Sequence, residues 1–114
     1  MTDKKQALTD LLAKVEAGGA TKRSLKKSCL EVFGIGACWG LCFDAYNGSL
    51  DAAQSLHEAV LPEWQWYRQG FVMYVTDDHT GWGSKPHFSA RDDTNPARAW
   101  LIAIIKALIA EETK

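Results

Sequence analysis

His57 and Glu58 open the pattern His-Glu-x-x-His, in which two histidines one helical turn apart bind zinc and the glutamate acts as general base. The pattern is not completed, because Leu61 stands where the second histidine belongs. A single imidazole cannot hold catalytic zinc, which takes three protein ligands and keeps one position open. His57 is therefore expected as a half-buried helix residue with a hydrogen-bonded ring. Cys38 and Cys42 stand four residues apart, so a helix would turn both thiols to one side, with His57, His79 or His87 as further ligands. The compact Cys-x2-Cys knuckle of structural zinc sites is missing from the sequence, and free cysteines commonly serve as small buried apolar groups. Core packing is the reading for both.

Nucleophilic chemistry finds no support in the motifs either. There is no Gly-x-Ser-x-Gly elbow. The stretch "GIGACWG" (Gly34 to Gly40) lacks the Lys-Ser/Thr pair of a phosphate-binding loop, and its glycines are expected to relieve crowding among packed aromatics. The sequence thus assigns no catalytic residue, no metal and no cofactor. An enzyme built on His57, His79 or His87 remains the third-ranked reading.

Binding chemistry has two candidates. In "HTGWGS" a large aromatic, Trp82, sits in a glycine-flanked polar loop, where exposed aromatics serve as anchors for a partner or a flat ligand. Asp77, Asp78, His79 and Trp82 form this first candidate contact. The competing reading has Trp82 folded back over the core as a lid. The second candidate is "TKRSLKK" (Thr21 to Lys27), where Lys22, Arg23, Lys26 and Lys27 make a basic patch able to contact phosphates. Its competing reading is a solvated face opposite Leu25, Cys29 and Phe33. The acidic pairs Asp77-Asp78 and Asp92-Asp93 are expected on exposed loops and, if on the same side as the basic patch, would repel a nucleic-acid backbone.

These residues must be positioned by elements that the spacing predicts. Leu8, Leu11, Leu12 and Val15 make one helical stripe over Lys5 to Ala17, stopped by Gly18-Gly19. Leu25, Cys29, Val32 and Phe33 mark a second helix ending at Gly34. From Ile35 to Gly48 the chain is apolar and glycine-broken, so short helix, strand and packed loop all stay open. Asn47-Gly48 is turn chemistry, Ser49 an N-cap and Asp51 a first-turn acid. The helix they start carries Ala53, Leu56, His57 and Val60 on one face and ends at Pro62. Trp64, Trp66 and Arg68 then alternate with Gln65 and Tyr67, and "FVMYVT" (Phe71 to Thr76) is aromatic and β-branched. With Gln69-Gly70 as the tight turn, this predicts a β-hairpin. A polar loop leads to a possible third strand at His87-Phe88-Ser89. Asn95-Pro96 caps a final helix whose apolar residues cover most of its circumference, the mark of a central buried element. It should pack on the sheet and on the first or third helix.

The expected class is α+β in a single domain spanning residues 1–114: N-terminal helices, a small antiparallel sheet and a C-terminal apolar core helix. With 114 residues, 46% hydrophobic composition and five tryptophans, such a chain can bury a real core. A formal net charge of −1 disfavours nucleic acid as the main partner. The longest apolar run, "AWLIAIIKALIA", contains Lys106 and falls short of the about 20 residues that span a bilayer, so no membrane role is expected. The polar start "MTDKKQALTD" and three cysteines that cannot all pair suggest a reducing cytoplasm.

"DAYNGSLDAAQSLHEAVLPEWQW" (Asp44 to Trp66) and "NPARAWLIAIIKALIAEE" (Asn95 to Glu112), with "LLAKVEAG" (Leu11 to Gly18), resemble small proteins encoded by bacteriophages and prophages. The resemblance covers most of the chain outside Ile35 to Phe43 and Thr76 to Asp93. It implies an accessory protein, outside the virion structural set, in the host cytoplasm, and it imports no catalytic residue. The leading expectation is a non-enzymatic binder of a host protein, with antiviral defence such as a CRISPR effector as the target class. The alternative is a small-ligand or nucleotide-binding module.

Overall fold

The structure, a computed structural model, describes residues 4–18, 21–33, 37–76 and 87–113. Helix α1 (Lys4–Ala17) buries Ala7, Leu8, Leu11 and Val15. It stops at Gly18, whose φ of 74° is the left-handed conformation that glycine takes without steric cost. Helix α2 (Lys22–Phe33) is capped by the Thr21 hydroxyl, which accepts from the Ser24 N–H at 3.2 Å. Its buried face is Leu25, Ser28, Cys29 and Val32. The Lys14 ammonium donates to the Ser28 hydroxyl and ties α1 to α2.

The stretch whose conformation the sequence left open forms helix α3 (Ala37–Tyr46). It packs on α2 through small side chains: the Cys29 and Cys42 thiols, both fully buried and free, lie 2.9 Å apart. Hydrogen bonding to Cys29, with burial added, pushes the Cys42 thiol well above its usual range, so it stays protonated. Cys42 thus pairs with Cys29 across two helices, while Cys38 is half-buried at the edge of the core. Both cysteines pack in or against the core.

The Asn47-Gly48 turn leads into α4 (Leu50–Val60), where the Ser49 hydroxyl accepts from the Ala52 N–H at 3.1 Å. Leu61, just before Pro62, closes this helix by donating its N–H to the His57 carbonyl. Strands β1 (Gln65–Gln69), β2 (Val72–Thr76) and β3 (His87–Arg91) follow as an antiparallel sheet in the order β1-β2-β3. Gln69 pairs with Val72, so the two-residue turn is Gly70-Phe71, one position later than expected from Gln69-Gly70. The physical reason is that Gly70, at φ 62°, fills the first central position, where the favoured hairpin turn demands a positive φ.

Helix α5 (Pro96–Thr113) is the centre of the fold. Ala97, Ala99 to Ile105 and Ala107 are buried, packed on β2 and β3, on α1, and on both α3 and α4. Core residues from every helix and from β2 join one hydrophobic cluster. Among the described residues no helix is long and apolar enough to cross a membrane.

The start of α5 is also where distant helix ends meet. Asn95 Oδ1 accepts from the Arg98 N–H at 3.0 Å, the expected N-cap, while its Nδ2 donates to the Tyr46 carbonyl at 3.1 Å. Arg98 donates to that same carbonyl from Nε and Nη2 at 3.3 and 3.2 Å, and its guanidinium lies 4.2 Å from the Tyr46 ring centre. The last carbonyl of α3, which has no partner within its own helix, is therefore saturated by α5. Asp92, expected on an exposed loop, is half-buried and organises this approach. Burial would raise its carboxyl, but the N–H donors of Thr94 and Asn95, the Thr94 hydroxyl and the Arg98 charge outweigh that and hold it below its usual range. Asp93 beside it is exposed, as expected.

Replacing Asn95 with alanine removes the cap and one donor to Tyr46. The expected loss is about 1–2 kcal/mol of unfolding free energy, measured by urea denaturation against wild type.

Candidate functional site

Of the two sequence-level binding candidates, Asp77, Asp78, His79 and Trp82 lie outside the described residues. The other, Lys22, Arg23, Lys26 and Lys27, stands exposed on α2, opposite the face that holds Leu25 and Cys29. The structure gives this patch a neighbour that the sequence did not. Helix α3 presents Trp39 and Phe43, four residues apart and so on one side, toward it. The Lys26 ammonium lies 5.0 Å from the Trp39 ring centre and the Lys22 ammonium 5.8 Å from that of Phe43, both within cation–π range.

Between the two helices runs a groove of about 380 Å³ lined by Lys22, Lys26, Trp39, Gly40, Phe43 and Asp44. A separate depression along α2, lined by Arg23, Lys26, Lys27, Leu30 and Glu31, shares Lys26 with the groove. Four cations thus face two carboxylates in a chain whose overall formal charge is −1. Positive charge is concentrated on this side of the α2–α3 pair.

Gly40 corrects an expectation. It does not relieve crowding, because a Cβ built there meets nothing within 4 Å. Its φ is not positive, so no turn requires it. A glycine inside a helix costs about 0.5–1 kcal/mol relative to alanine, and packing offers no return for that cost. What Gly40 does is leave the groove floor open between Trp39 and Phe43.

His57 is more deeply buried than expected, at 2% exposure, because Trp100 of α5 covers it. Its ring is satisfied at both nitrogens. The Trp100 indole N–H donates to Nδ1 at 3.3 Å, so Nδ1 carries no proton, and Nε2 lies 3.0 Å from the Trp64 carbonyl, to which its N–H donates. Burial pushes the pKa down; the Trp64 bond and nearby Glu58 oppose that without reversing it. A second proton, at Nδ1, would point at the indole donor. His57 is thus a neutral core strut. Among the described residues no three His, Cys, Asp or Glu side chains converge on a common point.

The site residues missed at sequence level are Trp39, Gly40 and Phe43. Their signal was the i, i+4 spacing of the two rings, readable only once residues 37–46 are known to be helical. Comparison of the chain with protein-family models, with curated proteins and with solved structures gives no match.

The depressed His57 pKa makes stability depend on pH with a definite sign. The unfolded chain takes up the proton near pH 6.5 and the folded chain only below that, so the contribution is complete above 6.5 and is lost as pH falls. Thermal unfolding between pH 7.5 and 5.5 should show a declining Tm, at no more than about 1.4 kcal/mol per pH unit from this group. His57→Leu should flatten that part of the profile. It should also lower stability throughout by about 1–3 kcal/mol for each group left unpaired at Trp100 and Trp64.

Proposed function

We propose that this chain is a small accessory protein of phage type that acts by non-enzymatic binding to a host protein, through the groove between α2 and α3. The observation that supports this reading is the pairing of Lys22 with Phe43 and Lys26 with Trp39 around the open position of Gly40. Ring faces hold the two ammonium groups in place, which lowers the entropy lost when a partner's carboxylates approach them. The occupant is an acidic protein segment whose carboxylates reach the two lysines from above. The phage-like resemblance supplies the setting, with antiviral-defence machinery, CRISPR effectors included, as the target class.

A nucleotide is the second reading, since the groove volume suits a small ligand and combines rings with cations. It fits less well. Each ring already carries an ammonium over its face, so base stacking would displace a lysine. Extended nucleic acid suits it least, given a net charge of −1.

The test has two arms. A protein retained from bacterial lysate by wild type is identified, purified and titrated against wild type, Lys22→Glu/Lys26→Glu and Gly40→Trp. The expected result is affinity that falls at least about tenfold in both variants, roughly 1.4 kcal/mol, and that weakens with added salt. Equal binding by all three forms would remove the groove from the interface. In the second arm, a rise in Tm of several degrees with ATP or GTP, abolished by Gly40→Trp, would transfer the groove to the nucleotide reading.

A further inference from the structure

Strand β1 carries an interaction surface distinct from the groove. It lies at one end of the β1-β2-β3 order, and all five of its residues are exposed. Among the described residues Leu50, Trp66, Tyr67 and Phe71, each 40–48% exposed, are the large apolar side chains most open to solvent, and three of them lie on β1 or its turn. The outward-facing backbone groups of β1 follow from the pairing. The Asp92 N–H donates to the Phe71 carbonyl, so odd-numbered β2 positions bond toward β3 and even-numbered ones toward β1. With Tyr67 opposite Tyr74, the N–H and C=O groups of Gln65, Tyr67 and Gln69 face β2. Those of Trp66 and Arg68 face outward.

Among the described residues the two ends of the β1-β2-β3 order are treated differently. At β3 the outward carbonyl of Ser89 accepts from the Lys106 ammonium at 3.0 Å, so a side chain from α5 occupies that edge. Native edges are commonly blunted by lysine, proline or a bulge. β1 contains no proline or lysine, and its register with β2 runs unbroken over five pairs.

About Tyr67 the sequence of β1, Gln-Trp-Tyr-Arg-Gln, carries the same residue at both ends, Gln65 and Gln69, and between them a ring, Trp66, and a cation, Arg68, that complement each other. We propose that β1 is a self-association edge: two copies of this chain pair their β1 strands antiparallel about a two-fold axis at Tyr67, joining two sheets into one of six strands. The outward residues fix the choice of register. Centring the pair on Arg68 sets two guanidinium groups opposite each other, which is repulsive. Centring it on Trp66 places Arg68 opposite Trp64, which lies outside the strand. Centring it on Tyr67 sets Trp66 opposite Arg68 of the second copy, twice, with four backbone hydrogen bonds and a cation–π contact at each end. Gln65 then meets Gln69 of the second copy, amide to amide.

Arg68 Nε donates to the Gly70 carbonyl at 2.8 Å, which leaves the other guanidinium nitrogens for a second copy, and the same register answers a further feature that argues against pairing. Arg68 shares the sheet face of Trp66, which packs on Trp100 with ring centres 4.3 Å apart, and a charge on a covered face ordinarily discourages edge pairing. Beside it lies a cleft of about 260 Å³ lined by Leu50, Asp51, Gln54, Trp66, Arg68, Met73 and Trp100. The incoming guanidinium therefore meets an indole face in a cleft that already holds the Asp51 carboxylate. This inference uses none of the groove residues, so its failure and the failure of the proposed function are separable.

Sedimentation equilibrium of the full chain at rising micromolar concentrations tests the proposal. The expected result is a monomer–dimer equilibrium that Arg68→Pro shifts to monomer. Proline there removes an outward N–H and leaves the bonds of β1 to β2 in place. A far-ultraviolet spectrum like that of wild type shows that the variant has folded. Register is read separately in a Cys38→Ser background. Tyr67→Cys should cross-link to a covalent dimer on mild oxidation, because facing residues at the axis lie about 4.5 Å apart. Gln65→Cys should not, because its two copies lie about 13 Å apart in this register. A chain that stays monomeric at every concentration overturns the proposal, as does a dimer in which Gln65→Cys cross-links and Tyr67→Cys does not.

Discussion

The carbonyl of Tyr46 at the end of α3 is the constraint on which the arrangement of this protein turns. A helix leaves its last carbonyls without intrahelical partners, and burying one unpaired would cost as much as losing a hydrogen bond. Here the partners come from about fifty residues away, as Asn95 and Arg98 at the start of α5. Arg98 also approaches the end of α1, where a Cβ on Gly18 would meet its Nη1 at 3.3 Å. A cation at the C-terminal ends of two helices is favoured by their dipoles as well as by the bonds. Three helix ends are thereby held at one point.

From this junction the core extends through one polar contact. His57, buried under α5, accepts from the Trp100 indole and donates to the Trp64 carbonyl. Trp100 in turn contacts Trp66 on β1. The aromatic series couples α4, α5 and the edge of the sheet, and each polar atom along it that the core buries has a hydrogen-bond partner. An imidazole in this place does what no apolar side chain could, because it answers a donor on one side and an acceptor on the other.

The two surfaces singled out differ in what they offer a partner. Between α2 and α3, lysines rest on ring faces and give charge with little conformational freedom to lose. At β1, backbone groups and alternating side chains give a geometric match. The first suits a carboxylate-bearing partner of another sequence. The second suits a strand of its own.

Local rules read from the residues determined much of this fold. The stripe Leu8, Leu11, Val15 made α1, Ser49 capped α4, Asn95-Pro96 opened α5, and alternation around Trp66 made a strand, because each depends on interactions within a few residues. The missing second histidine likewise placed His57 among structural residues before its partners were visible. Other features needed the tertiary structure. Residues 37–46 are apolar nearly all round and carry a glycine, so neither period dominates, and the helix they form is packed against α2, α4 and α5 together. Trp39 and Phe43 could not be joined to the basic patch until that helix was placed. Contacts across tens of residues depend on how whole elements pack, and no spacing within one segment encodes them.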